Sequence, residues 1–375
     1  MNFEIDKKEF LKGLGLIQRV AGKRTTLPIL SHILLEWQNN SLYLTGTDLE
    51  TAIREKLTVK VHQEGKASTS AKKLYEIVRE LPDKIIQIQK KENHWMTLQC
   101  GKSIFNLAGL DPDEFPALPS YREEYFTKIS MHVMRDMIGK TVYAASNEES
   151  RYHLNGVFFT RSKKGGKEIL RMVATDGHRL SLVDRDGESI GGIEKGTIIP
   201  KKGILEIRKI LEDRSDEEAL EIYFDQSHGF FRVGKSMLVI RLIEGEFPEY
   251  DQVIPKENDK RLVLEKERMV GSLKRVSTMA SERVEGIRFS VAKNSVELSS
   301  YHQDFGDAKE EVDVTYEGPP LQIGFNARYL IEAFNVIDTD EVIMELKDEG
   351  SPGIIKPISV IDPSNQLCII MPMRI

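Results

Sequence analysis

At 375 residues, with 40% hydrophobic and 30% charged residues, the chain has ordinary globular composition and is long enough for two or three domains. No apolar run approaches the length of a membrane span, and the opening Met1-Asn2-Phe3-Glu4-Ile5-Asp6 lacks the basic and apolar regions of a signal peptide. A formal net charge of −6 argues against coating nucleic acid through an overall field, and two lone cysteines, Cys100 and Cys368, without metal-ligand neighbours fit a reducing cytoplasm.

In chain order, a strand-like opening leads into an amphipathic helix with Phe10, Leu14 and Ile17 on one face. A short apolar strand, Ile33-Leu34-Leu35, and a Thr47-Asp48 pair follow. A second helix reads Lys72-Lys73-Leu74-Tyr75-Glu76-Ile77-Val78, and then come Ile85-Ile86-Gln87-Ile88, a Gly-Lys-Ser turn at 101–103 and Phe115-Pro116. The same order then returns: Met134, Met137 and Thr141-Val142; Val157-Phe158-Phe159; Thr175-Asp176; the helix starting Lys201-Lys202-Gly203-Ile204; Leu220-Glu221-Ile222; Gly-Lys-Ser at 234–236; Phe247-Pro248. A third round has Met269, Leu273 and Val276, then Ile287-Arg288-Phe289, then Asn326-Ala327-Arg328-Tyr329-Leu330-Ile331-Glu332-Ala333 and Glu341-Val342-Ile343-Met344. It lacks the Thr-Asp, Gly-Lys-Ser and Phe-Pro signatures and finishes on an expected apolar strand, Leu367-Cys368-Ile369-Ile370-Met371-Pro372-Met373-Arg374-Ile375.

Glu76, Glu206 and Glu332 mark the period, at steps of 130 and 126 positions. That is the size of a domain, too long for a solenoid repeat. Each third reads as helix, strands, helix, strands, so the expected class is α+β with mostly antiparallel sheet. Junctions fall just after each Phe-Pro, giving domains 1–121, 122–250 and 251–375. Three related domains imply that geometry, rather than one catalytic pocket, organises the function.

Two motifs imitate enzyme chemistry. Residues 229–236 match G-x-x-x-x-G-K-[ST], the pattern of a phosphate-binding loop. Such a loop opens a helix, whereas the middle positions here are bulky and Met237-Leu238-Val239-Ile240 reads as strand, so a hairpin with a solvent-facing lysine is expected. Thr175-Asp176-Gly177-His178-Arg179-Leu180 sets Asp beside His, but no nucleophile or metal partner accompanies them, and a tight turn is the plainer reading. Two Met flanking Pro at the end of the chain offer a soft apolar surface suited to varied peptides. Basic residues gather at the helices, among them Lys7, Lys8, Lys12, Lys23, Arg24, Lys140, Lys201, Lys202, Lys274 and Arg275, as either a shared basic surface or solvated faces salted with Glu.

The sequence resembles the bacterial replicative sliding clamp family, the beta subunit of DNA polymerase III. The resemblance is carried from end to end by residues 26–30 (Thr-Leu-Pro-Ile-Leu), 44–50 (Leu-Thr-Gly-Thr-Asp-Leu-Glu), 151–156 (Arg-Tyr-His-Leu-Asn-Gly), 174–180, 247–250 (Phe-Pro-Glu-Tyr), 323–326 (Ile-Gly-Phe-Asn) and 371–374. It implies three tandem repeats of the DNA-clamp fold, helices lining the inside and antiparallel sheets outside, closed into a ring as a head-to-tail homodimer. It implies a non-enzymatic processivity factor that encircles double-stranded DNA, needs no cofactor or metal, and works in the cytoplasm away from membranes. Implied DNA contacts are Arg24, Tyr152, His153 and Lys201. The implied partner-peptide pocket comprises Leu154, Thr175, Gly177, His178, Arg179, Leu180, Pro248, Val253, Asn326, Tyr329, Ile370, Met371, Pro372, Met373 and Arg374. Its expected ligands are short linear motifs of the DNA polymerase III alpha subunit, the clamp loader, other polymerases and repair proteins. By family position the dimer would join Phe105 and Leu107 to Thr278 and Met279. Two departures from the family pattern are Glu148, where an uncharged polar residue is common, and Gln252, where a basic one is. Competing readings are a peptide-binding scaffold of the same fold without a DNA role, and a nucleotide hydrolase built on residues 229–236.

Overall fold

The computed structural model describes residues 2–21, 26–186, 190–212, 214, 218–281, 285–358 and 365–374. The first repeat runs β1 (Asn2–Asp6), α1 (Lys7–Ile17), β2 (His32–Gln38), β3 (Ser41–Thr47), β4 (Thr51–Thr58), β5 (Lys60–Gln63), β6 (Gly65–Ser70), α2 (Ala71–Glu80), β7 (Ile85–Lys90), β8 (Met96–Cys100) and β9 (Ser103–Leu107). The second runs β10 (Thr127–Ile129), α3 (Met131–Thr141), β11 (Gly156–Lys164), β12 (Lys167–Thr175), β13 (Arg179–Asp186), β14 (Thr197–Pro200), α4 (Lys201–Glu212), β15 (Leu220–Phe224), β16 (His228–Val233) and β17 (Ser236–Arg241). The third runs β18 (Lys260–Glu265), α5 (Lys266–Ser277), β19 (Gly286–Ala292), β20 (Ser295–His302), β21 (Gly306–Asp313), β22 (Leu321–Asn326), α6 (Ala327–Asn335), β23 (Glu341–Leu346), β24 (Gly353–Pro357) and β25 (Gln366–Ile370). Apart from the extra β5, the order is strand, helix, four strands, helix, three strands in every repeat.

Local chemistry starts the helices where the sequence places them. The Asp6 carboxylate accepts from the Lys8 and Glu9 amides, Ser70 Oγ from Lys73 and Asn326 Oδ1 from Tyr329, satisfying donors that a helix start leaves without partners. The apolar stripes face inward: Phe10, Leu14 and Ile17 of α1, Met134 and Met137 of α3, and Met269, Leu273 and Val276 of α5 are all buried. In the third repeat α5 and α6 share one core with Phe289, Phe325 and Met344.

The chain divides into two compact units, one comprising Met1–Met131, Ile190–Gly192 and Lys209–Leu242, the other His132–Ser189, Ile193–Arg208 and Ile243–Ile375. The first unit holds a five-stranded sheet, β5-β1-β7-β8-β9, and an eight-stranded sheet, β10-β15-β16-β17-β4-β3-β2-β6. The second holds an eight-stranded sheet, β14-β11-β12-β13-β25-β24-β23-β18, and a four-stranded sheet, β21-β20-β19-β22. Each eight-stranded sheet is half one repeat and half the next. The seams are the antiparallel pairs β17–β4, from Ser236↔Glu55 to Ile240↔Thr51, and β13–β25, from Arg179↔Ile370 to Val183↔Gln366. Strand pairing therefore ties repeats together where the sequence period alone would part them.

Residues 229–236 form the hairpin of β16 and β17, with Gly234 at φ 56° and Lys235 exposed at the bend. Ser236 is buried; its hydroxyl donates to Glu55 and accepts from Arg214 Nη2 at 2.8 Å. One expectation needs correction. The terminal strand stops at Ile370, because Pro372 has no amide to donate, and residues 371–374 continue as irregular chain. Several of the basic helix residues stand in ion pairs: Lys140 is buried between Asp136 at 2.6 Å and Asp338 at 2.5 Å. Lys7 and Lys8 pair with Asp83, Lys73 with Glu76, and Arg275 with Glu310.

Candidate functional site

The second compact unit gathers most of the residues singled out in the sequence. Its centre is the turn between β12 and β13. Thr175 Oγ1 donates to the Arg179 carbonyl at 2.6 Å and accepts from the Gly177 amide at 3.1 Å. Asp176 Oδ1 takes the amides of His178 and Arg179 at 2.9 and 3.1 Å, and its Oδ2 takes Arg179 Nε at 3.0 Å. The Asp176 carboxylate is consumed in building the turn, so Asp176 and His178 form no acid–base dyad. Gly177 sits at φ +90°, where a side chain would be strained, and the Arg151 guanidinium occupies the space above it.

Arg179 is the electrostatic anchor. Its guanidinium, almost fully buried, also donates to Glu332 and, at 2.8 Å, to the Tyr143 carbonyl. It lies 4.4 Å over the Tyr329 ring and 5.2 Å over that of Tyr143. Burial works against the Glu332 carboxylate, but hydrogen bonds from Arg179 and Arg328 outweigh it and hold its pKa below the ordinary value. The His178 ring stacks beside Tyr329 at 6.4 Å, and Asn326 caps the helix that carries Tyr329.

The end of the chain completes this region. β25 pairs with β13, setting Ile370 opposite Arg179 and Ile369 opposite Leu180. Beyond it the Met371 amide donates to the His178 carbonyl and the Met373 amide to Gly324, both at 2.9 Å. Met371 is 41% exposed, whereas Ile370, Leu180, Thr175 and Leu154 are buried. On the sheet face, Leu180 packs with Val173, Leu182, Ile354 and Ile369, against partly buried Phe158, Phe247, Tyr250 and Ile254. Phe158 and Phe247 stack at 5.0 Å. Exposed Pro248 and Val253 lie on the same connecting segment as Phe247 and Tyr250. On the other side of the terminal segment, Pro372, Met373 and Arg374 line a cleft of about 660 Å³ with Gln322, Gly324 and Glu349.

Tyr152 and His153 stand together on a 3₁₀ segment (Glu149–Leu154), their rings edge to face at 5.6 Å, with Tyr152 58% exposed. Lys201 Nζ is not free: it donates to the Ala145 carbonyl at 2.8 Å and to Asn147 Oδ1 at 2.9 Å. Burial, and then the nearby Arg179 charge, push its pKa down. Arg24 lies outside the described residues. In the first unit Phe105 and Leu107 are on β9, an edge strand. In the second, Thr278 and Met279 close the end of α5, and Met279 Cε stands 3.8 Å from where a Cβ on Gly306 of the edge strand β21 would sit.

Sequence reasoning missed Tyr143, Arg151 and the role of Glu332. No local signal marks the first, and Arg151 and Glu332 were read only as motif members. Among the described residues no group of three or more His, Cys, Asp or Glu could hold a metal ion, and no helix is long and apolar enough to cross a membrane.

Comparison with known proteins decides the family. The profiles of the DNA polymerase III beta subunit match in order: its N-terminal domain over residues 1–119, its central domain over 128–249 and its C-terminal domain over 251–374. The chain belongs to the DNA polymerase III beta subunit family. The three repeats are three clamp domains. The chain is 34% identical to the beta sliding clamp of Caulobacter vibrioides over 378 residues and 30% identical to that of Escherichia coli over 379, covering 100% of each protein in both cases. Its structure superposes on the sliding clamp of Caulobacter crescentus with a TM-score of 0.94 at 33% identity, covering 100% of both chains. On the Bartonella birtlesii clamp bound to griselimycin the TM-score is 0.93 at 32% identity, again over 100% of both chains.

Proposed function

We propose that two copies of this chain close head to tail into a ring around duplex DNA and tether the replicative polymerase to its template as a non-enzymatic processivity factor. The observation that most supports the ring is the rule of the repeat junctions. At each seam the last strand of one repeat pairs antiparallel with the third strand after the first helix of the preceding repeat: β17 on β4, β25 on β13. Two strands of these same kinds, β9 and β21, are left at sheet edges. Pairing β9 of one copy with β21 of another applies the rule once more, and two such joints close six domains. Carrying over the β17–β4 register, counted from the hairpin bends, sets Phe105 opposite Ala308 and Leu107 opposite Gly306, next to Met279 and Thr278.

Domains of 1–121, 122–250 and 251–375 fit this scheme. Tyr152, His153, Lys201 and Arg24 would meet phosphates weakly and without sequence preference, which suits sliding. The turn at Gly177 and His178, Leu180, Pro248, Tyr329 and residues 370–374 would take Leu- and Phe-type side chains of short motifs carried by the polymerase alpha subunit, the clamp loader and repair proteins. A duplex-bound role is in keeping with a cytoplasmic protein.

Light scattering at micromolar concentration should give the mass of two chains, and Leu107→Glu with Met279→Glu should give one. Loaded on a nicked circle, the ring should resist salt and leave on linearisation. A monomeric wild type, or equal release from circles and linear DNA, refutes the ring.

A further inference from the structure

We infer that Arg151, steered by Glu148, is a positioning residue that covers the Gly177 turn of the peptide site when DNA is absent and uncovers it when DNA is bound. The inference deepens the proposed function and rests on both its DNA-contact loop and its peptide site. Arg151 lies on the segment that carries Tyr152 and His153, at the one backbone conformation there that departs from helix, φ −117° and ψ 53°. Its side chain leaves that segment and crosses to the turn. Arg151 Nη1 donates to the Asp176 carbonyl at 3.3 Å and stands 2.7 Å from where a Cβ on Gly177 would be. A side chain at 177 would displace the guanidinium from this place. From the other side, Glu148 Oε2 faces Arg151 Nε at 3.6 Å.

The arrangement is a competition for one cation. Both side chains are about half exposed, so the Glu148 contact is screened and weak. A phosphodiester near Tyr152 and His153 offers the guanidinium a bidentate partner, reinforced by the field of the neighbouring phosphates along the duplex. In the proposed switch the guanidinium exchanges the Asp176 carbonyl for a phosphate. Turning to DNA, it frees that carbonyl and the space above Gly177 at the edge of the peptide site. DNA therefore raises peptide affinity, and by linkage a bound peptide tightens the hold on DNA by the same factor. A loaded clamp would recruit partners in preference to a free one.

The test uses the full chain, a fluorescent peptide carrying Gln-Leu-Ser-Leu-Phe, and a short blunt duplex at saturating concentration and low salt. Anisotropy should show the wild type binding the peptide about fivefold more tightly with duplex than without. Arg151→Ala should bind at the tighter affinity in both conditions, a ratio of one, with an unchanged melting midpoint. Glu148→Gln should shift the duplex-free affinity toward the tighter value and shrink the ratio. A wild-type ratio of one with normal peptide binding overturns the inference, as does full coupling in Arg151→Ala. Loss of peptide binding in Arg151→Ala makes Arg151 a direct contact and also overturns it. A wild type that binds no peptide sinks the proposed peptide site, and the inference with it.

Discussion

Replacing Arg179 by Met tests the anchor of the candidate site. The guanidinium is 7% exposed and donates to Asp176, Glu332 and the Tyr143 carbonyl, with aromatic rings at 4.4 and 5.2 Å. Met keeps the volume of the stem and removes the charge, so the cost is chiefly electrostatic. Hydrogen bonds to charged groups contribute about 1.5–3 kcal/mol each but are not additive here. Breaking one side of a buried pair costs about 3–5 kcal/mol. Glu332 keeps Arg328 at 3.1 Å, and its side chain is 31% exposed, which places the expected loss near the lower end of that range, about 3 kcal/mol. That lowers the melting midpoint of the second unit by roughly 10 °C. The pH dependence gives an independent readout. Because the folded pKa of Glu332 lies below its ordinary 4.5, its contribution is present above that value and is lost as pH falls through the folded pKa. Arg179→Met should remove part of this acid sensitivity below about pH 4.5. Calorimetry at pH 7 and pH 4 decides it. A midpoint within about 2 °C of wild type at pH 7 refutes the anchoring role.

Two further outcomes follow from the same geometry. Deleting residues 371–375 removes Met371 and the two main-chain bonds to His178 and Gly324 but leaves β25 paired, so peptide affinity should fall at least about tenfold while the dimer mass is retained. Equal binding by a folded truncation places the partner site elsewhere. Glu55 is buried at the β17–β4 seam, and burial raises its pKa despite the Ser236 hydrogen bond. Its charging is therefore a stability cost that is absent below about pH 4.5 and grows as pH rises through the folded pKa. Glu55→Gln should melt higher than wild type at pH 7, with the gain vanishing at pH 4; a lower midpoint at both pH values contradicts this.

What could be read in the sequence was whatever depends on near neighbours. The three repeats, the inward faces of α1, α3 and α5 and the hairpin at residues 229–236 all rest on local periodicity and turn chemistry. What could not be read depends on residues far apart in the chain. Lys140 looks like a surface cation beside Asp136, and its burial becomes evident only with Asp338, 198 positions later. Tyr143 shows no motif, yet its hydroxyl reaches Cys368 at 3.3 Å, 225 positions away. The seams pair strands of different repeats, and their registers follow from hydrophobic matching across the sheet that no single segment encodes. The resemblance supplied Leu180, Tyr329 and Met373 as pocket members; the residues that brace them, Arg151 and Glu332, follow from the geometry alone.

The joints also differ in how they treat charge, and the difference suits the proposed ring. At the β17–β4 seam Glu55 is buried with Ser236 and Arg214, so parting those strands would break a hydrogen-bonded cluster shared by two repeats. At the β13–β25 seam Arg179 ties Asp176 of the second repeat to Glu332 of the third. Both joints lie inside a chain and need never open. The strands assigned to the joint between chains are different. Glu310 on β21 is already satisfied within its own chain, by Arg275 Nη2 at 2.6 Å and Ser272 Oγ at 2.6 Å, which hold its pKa at about 2. Separating such an edge would leave Glu310 with its own partners, so that charge adds no penalty to opening. A ring that must be opened to load onto DNA, and stay closed at every other seam, would be expected to divide its charges in this way.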